Sequence, residues 1–280
     1  MNFAGRMLLF TGLFVSSVAF AGDGSSKKGY WVADQSIEIA ASPAQIFAYT
    51  SNLPNWDKWT AWNKEKDPTG QWTYSGTPGT VGHDMAWDGP ELGKGRLVLT
   101  KVEGSNIGFD LYFGKSKKAN KGEIILTGEG PTTVRWTTEG KLGLIGRMMK
   151  GKIETAVNKD FSDGLAKLKK LAEHDAAVAA WQAEVAAAEA AAADAKKVAD
   201  EAAARAADAV KAAEAADKTA ADALAKAKKP AEKKAAEALK SEAEGLKAKA
   251  NLAQQEADAR AKQAEIKAGA VNKVKGQEPK

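Results

Sequence analysis

The chain contains no cysteine. That absence excludes disulfides, thiolate metal sites and a lipid-modified cysteine behind a signal peptide. Histidine is nearly as scarce, with only His83 and His174. A metal set would have to be assembled from scattered carboxylates, so no metal or cofactor is expected. A large excess of one charge is also lacking, since 41 basic residues face 36 acidic ones for a formal net charge of +5. A nucleic-acid surface concentrates Lys and Arg on one face or stripe, and no nucleic-acid partner is expected. Long hydrophobic runs are missing too. The apolar run from Met7 to Val18 is shorter than the roughly 20 residues a spanning helix needs.

That run is preceded by Arg6 and followed by the small residues Ala19 and Ala21, the layout of a secretory signal peptide cleaved before Gly22. Residues 1–21 are read as the signal peptide and 22–29 as a linker, which makes the protein exported, in the periplasm or another extracytoplasmic space. An uncleaved N-terminal helix that anchors the chain is the alternative.

What the sequence has in abundance is alanine, at 43 of the 106 positions from Asp175 to the end. Ala, Lys, Glu and Arg are strong helix formers, so residues 175–280 are expected to be helical. Their 19 basic and 18 acidic residues nearly cancel, and pairs such as Glu214 and Lys218 are spaced to meet along one helix. Large apolar residues are too sparse for a full coiled-coil seam. Pro230 suits the first position of a second helix, giving helices near 175–229 and 231–268 with a break between them. An extended, weakly packed arm is favoured over a hairpin. At about 1.5 Å per residue the first helix alone would reach roughly 80 Å. In composition the segment resembles the Ala/Lys/Glu-rich helical spacers of bacterial envelope proteins, which implies self-association or an envelope-spanning role.

Residues 30–174 hold seven of the eight tryptophans and most of the turn signals. "SIEIA" alternates as a strand. "SPAQIFAYTSN" follows as a short helix with Ser42 as cap and Pro43 at its first position, and "PNWDKWTAW" adds another turn or two. The period then switches to two through "QWTYSG", "GHDMAWDG", "GRLVLTKVE", "IGFDLYFG", "GEIILTGEG" and "TTVRWTTEG", six strands of an antiparallel meander. From Leu144 to Glu173 the apolar positions Ile145, Met149, Ile153, Val157, Phe161, Leu165, Leu168 and Leu171 form one helical stripe. The expected fold is α+β, a curled seven-stranded antiparallel sheet gripping a long helix.

The runs "SIEIAASPAQIFAYTSNLPNWDKWTAW", "YSGTPGTVGHDMAWDG", "TTVRWTTEG" and "KDFSDGLAKLKKLAE" resemble the START-like (SRPBCC) superfamily, in its bacterial polyketide cyclase/dehydrase branch. The resemblance implies a helix-grip domain with an apolar cavity that mostly binds hydrophobic molecules and only sometimes catalyses.

Alternation along the strands places Trp72, Tyr74, His83, Met85, Trp87, Phe109, Leu111, Phe113 and Trp136 on the inner face. Ile145, Met148, Met149 and Phe161 are expected to meet them from the helix. Aromatics with methionine suit an adaptable apolar pocket, although the same residues could simply fill a core. Trp56, Trp59 and Trp62, three apart, span an arc of about 120° on a helical turn and read as a lid or plug. His83 is the weak catalytic candidate, an acid/base without a partner in sequence. Arg135 and Glu139, with Arg147, Lys150 and Lys152, could ring a cavity mouth or simply be solvated.

The leading expectation is a non-catalytic carrier of a hydrophobic small molecule or lipid. A polyketide cyclase/dehydratase-like enzyme using His83 is the second reading. An envelope spacer or oligomerisation protein acting through its tail is the third.

Overall fold

The structure, a computed structural model, describes residues 28–280. The signal peptide and most of the linker read in the sequence lie outside the described residues. The chain divides into two compact units, the first extending through Ala176 and the second starting at Ala177.

In the first unit the expected α+β helix-grip forms. The elements are β1 (Tyr30–Ile39), α1 (Pro43–Thr50), a 3-10 turn (Leu53–Lys58), β2 (Gln71–Ser75), β3 (Asp84–Gly89), β4 (Gly93–Glu103), β5 (Asn106–Phe113), β6 (Asn120–Thr127), β7 (Thr132–Lys141), α2 (Leu144–Met148) and the start of α3 (Lys150–Lys226). The sheet order is β1-β7-β6-β5-β4-β3-β2, and each neighbouring pair is antiparallel. At α1 the Ser42 hydroxyl accepts from the Gln45 amide, the Gln45 side chain reaches back to the Ser42 amide, and Pro43 takes the first helical position.

The edge strand β1 is closed by the gripped helix. Its outward amides at Val32 and Asp34 donate to Glu154 Oε1 and Asn158 Oδ1, each at 3.0 Å. Acceptors four residues apart on a helix share a face and match amides two apart on a strand. The Ala40 amide donates to Glu173 Oε1 at 2.8 Å. Edge amides that could pair with another chain are thereby satisfied internally.

The apolar stripe of the last helix is buried over only part of its expected length. Phe161, Leu165, Leu168 and Ala172 enter the core, whereas Ile145 is 76% and Met149 49% exposed. The reason is a break: α2 ends at Met148 with Met149 as its cap, and α3 starts afresh at Lys150. The register of α2 is therefore independent of the stripe. At its other end α3 does not stop near residue 174, because no Gly or Pro interrupts "LAEHDAAVAAW".

The second unit holds the rest of α3 and α4 (Pro230–Lys275). The expected extended arm is not what forms: the two helices fold back antiparallel. Lys247 pairs with Asp217 at 2.6 Å and Lys275 with Glu189 at 2.7 Å, while Trp181 Nε1 donates to the Val274 carbonyl at 2.9 Å. Pro230 starts α4 as expected, and Glu232 accepts from the Lys228 and Lys229 amides. Buried alanines recur seven apart on both helices, at Ala199, Ala206, Ala213 and Ala220 and at Ala236, Ala243, Ala250 and Ala257. A methyl group at each core position lets the helices approach closely.

Candidate functional site

The space between sheet and helix is filled by aromatic rings. Trp56 and Trp59 are fully buried and Trp62 is 8% exposed, so these three form a plug and not a lid. Trp136 from β7 stacks on Phe161 of α3 at 3.7 Å with the planes 6° apart. Trp59 meets Trp136 at 5.0 Å, and Trp56 meets Phe109 edge-on at 5.7 Å. Such tilted and stacked pairs are favourable beyond the area they bury. Trp56 Nε1 donates to the Thr50 carbonyl at 2.9 Å, and Thr60 Oγ1 donates to the Trp56 carbonyl at the same distance.

Two glycines make room for these rings. A Cβ on Gly122 would stand 2.2 Å from the Phe109 ring, and one on Gly95 would stand 2.1 Å from Trp87. Both glycines are cross-strand neighbours of the ring they accommodate, a use of glycine where close approach excludes any side chain.

The inner-face residues named from the sequence, with the three tryptophans of the turn, thus fall into three groups. Trp56, Trp59, Trp62, His83, Met85, Trp87, Phe109, Leu111 and Trp136 are buried. Trp72 and Tyr74 are half-buried, packed against the same core. Phe113 is 38% exposed. Position in the sheet accounts for most of this: Trp72 and Tyr74 lie on the edge strand β2, and Phe113 is the last residue of β5. Trp72, Trp87, Gly95 and Phe113 lie in one row across β2 to β5, at the end of the sheet where β7 leads into α2. The row ends where the buried part of the helical stripe has not yet begun.

At this half-open end Trp72 and Trp87 stack, with centroids 5.9 Å apart and planes at 26°. Their Nε1 atoms are buried without a hydrogen-bond partner, as are those of Trp59 and Trp136. Burial, and then the charge of Asp57, push the Tyr74 hydroxyl pKa above its usual value.

His83 is 1% exposed. It makes a backbone hydrogen bond with Ser51, and burial lowers its pKa more than the neighbouring Asp84 raises it, so the imidazole is neutral at neutral pH. Its Nδ1 has no partner. Asp84 is committed elsewhere: Arg96 Nε donates to its Oδ2 at 2.6 Å. Among the described residues no group of His, Asp and Glu is placed to hold a metal.

Arg135 does not ring a mouth. Its Nε donates to Asp34 Oδ1 at 2.9 Å, on the sheet face opposite Trp136. Sequence reasoning missed Asp67, a buried carboxylate whose Oδ2 accepts from the Glu91 and Leu92 amides at 3.1 and 2.9 Å and pins the β3–β4 hairpin. A lone Asp in "KEKDPTG" carries no signal of burial. Two open concavities lie outside the grip. One, about 480 Å³, is lined by Trp59, Asn63, Asp160 and Lys167 among others. The other, about 510 Å³, lies over Thr73, Ala86, Arg96 and Tyr112.

The fold and its interior define a helix-grip domain whose centre is filled by aromatic rings and whose buried histidine, His83, is held by the Ser51 backbone with no carboxylate free to pair with it. A family model described as polyketide cyclase / dehydrase and lipid transport matches residues 30–173, just over half of the 280 residues, and the chain belongs to that family. No curated protein matches the sequence. Among solved structures, the Aha1 dimer from Colwellia psychrerythraea is similar at 21% identity and a TM-score of 0.38, over 51% of this chain and 96% of that one. A protein of unknown function from Staphylococcus aureus, SA2116, is similar at 9% identity and a TM-score of 0.43, over 51% and 94%. The di-domain ARO/CYC protein BexL from the BE-7585A biosynthetic pathway is similar at 13% identity and a TM-score of 0.43, over 54% and 52%. None of these likenesses carries an activity over to this chain.

Proposed function

We infer that the protein is an exported, non-catalytic binder of a hydrophobic small molecule or lipid. The ligand would sit at the half-open end of the grip and not in its filled centre. The observation that carries this reading is the stacked pair Trp72 and Trp87. Both present buried indole N–H groups without an acceptor, beside Phe113 and Tyr74 on the same inner face. A buried donor without a partner is costly, and a flat apolar molecule bearing a carbonyl or similar acceptor would satisfy it while stacking on the rings.

The enzymatic reading fares less well. His83 is neutral and could accept a proton, but it is sealed from solvent and its charged neighbour Asp84 is tied to Arg96.

Thermal denaturation against a panel of planar and fatty ligands tests the proposal, since a ligand that binds only the folded state raises the melting temperature. Native mass spectrometry of protein from its own compartment would identify an endogenous ligand. Trp72→Phe, which keeps a ring and removes the donor, is expected to weaken acceptor-bearing ligands more than pure hydrocarbons. A panel that produces no shift, with protein that carries no ligand, rejects the reading.

A further inference from the structure

α2 is a five-residue helix whose apolar side chains point outward: Leu144, Ile145 and Met148 are 82, 76 and 88% exposed, and the adjoining Met149 is 49% exposed. Clustered exposed apolar side chains of this size mark a contact surface.

The charge around them is predominantly basic, the nearby carboxylates Asp110 and Glu154 being paired with Lys121 and Lys150. The β5–β6 connection, "GKSKKANK" at 114–121, and the segment "KLGLIGRMMKGK" at 141–152 contain no Asp or Glu. Lys115, Lys117, Lys118, Lys141, Arg147 and Lys152 are all exposed. Lys150 is engaged by Glu154. The two segments share one end of the sheet, because β5 ends and β6 begins beside the end of β7: Leu111 pairs with Asn120 and Lys121 with Glu139. The Leu142 amide donates to the Gly29 carbonyl at 2.8 Å, so the chain also enters the domain here.

We propose that this end of the domain docks on a bilayer surface rich in anionic lipid. Leu144, Ile145, Met148 and Met149 enter the interfacial layer, and the lysines and Arg147 lie against headgroup phosphates. Charge selects this occupant over the others. A second copy related by a twofold axis would set the same cations against each other. The chain's own apolar run, Met7 to Val18, would cover the apolar side chains but leave the cations unneutralised. Anionic headgroups answer both features, since interfacial binding combines buried apolar surface with attraction of basic side chains, and lysine stems reach outward from the apolar layer. The break at Met149 frees α2 from the buried stripe of α3. The inference does not depend on ligand binding by Trp72 and Trp87, and its test reads a different event.

The test is co-sedimentation of the chain from Gly22 onward, which keeps every described residue and removes the apolar run, with vesicles of phosphatidylcholine and phosphatidylglycerol or of phosphatidylcholine alone. Binding is expected to the anionic vesicles and to weaken with added salt. Leu144→Ser with Met148→Ser, and separately Lys115→Glu with Lys117→Glu and Lys118→Glu, should each reduce it roughly tenfold or more. All of these side chains are exposed, so melting temperatures should not change. Absence of binding to the anionic vesicles overturns the proposal, as does binding that the α2 variant leaves intact. A dimer in solution that the α2 variant dissociates assigns the surface to a second copy instead.

Discussion

The first unit is held by a few very large side chains and the second by many very small ones. In the grip, Trp56, Trp59, Trp136, Phe109 and Phe161 are each under 2% exposed and touch one another. In the hairpin, the seam between α3 and α4 is alanine almost throughout, with Ala202, Ala206 and Ala257 clustered and Ala253 packed beside them. An aromatic side chain removes roughly 150–250 Å² from water, whereas a methyl group contributes on the order of 0.8 kcal/mol. Alanine loses no rotamer entropy on burial, so a long seam accumulates stability in small steps. Loss of one residue should therefore be severe in the grip and slight in the hairpin, while gain of volume should be felt in both.

The largest expected effect is Trp136→Ala. Trp136 is fully buried and lies against Trp56, Trp59, Trp62 and Phe161, so truncation leaves a cavity that costs about 3–5 kcal/mol, a large share of a typical domain's stability. Denaturant unfolding followed by tryptophan fluorescence should show the loss in the first unit. Helical circular dichroism from the alanine-rich helices should survive. If the helical signal were lost in the same transition, the two modes of packing would not be separable.

Next in size is Ala206→Leu. Ala206 is 1% exposed in the seam, and inserting a larger side chain into packed space costs about 1–3 kcal/mol. Both residues favour helix, so the expected outcome is a loosened hairpin with undiminished helicity, read as a larger Stokes radius. Ala207→Leu, one position along on the exposed face, is the control and should be near neutral. Equal behaviour of the two variants would mean that the seam is not close-packed.

The same contrast explains what was legible in the sequence. Six strands were readable because Val, Ile, Leu and aromatics alternate with Lys, Asp and Thr, and burial follows the alternation. Of β1 only the end from Ser36 was, because its start, "YWVA", is apolar at every position and shows no contrast, although Trp31 and Ala33 are buried. The hairpin was not, because alanine occupies exposed and buried positions alike and hydropathy gives no contrast. The readable signal is the positions charge avoids: from Ala188 through Ala192, Ala195, Ala199, Ala202, Ala206, Ala209, Ala213, Ala216, Ala220 and Ala223, steps of three and four meet only alanine. At the candidate site, the inner face of the strands followed from parity. The filling of the centre did not, since Trp56, Trp59 and Trp62 can cover a cavity or occupy it with the same spacing. Ile145 and Met149 were misplaced because the apolar periodicity continues through the helix break at Met149.

The smallest effect concerns His83, a buried titratable residue at 1% exposure. Burial lowers its pKa below the ordinary 6.5, outweighing Asp84, so the unfolded chain binds the proton more readily than the folded one. Stability should therefore be level above about pH 6.5 and fall as pH drops through the window between 6.5 and the lowered folded value. Glu154 acts lower and for another reason. The Lys150 ammonium and the Val32 amide hold its pKa below the usual 4.5 despite burial, so its contribution is present above that value and disappears only in the acid range. The two windows are distinct. His83→Gln, which keeps an N–H donor for Ser51 and cannot titrate, should flatten the stability profile in the upper window and leave the acid limb unchanged. Chemical denaturation at a series of pH values measures both limbs. A slope that persists in the upper window after His83→Gln would mean that another group titrates in that range.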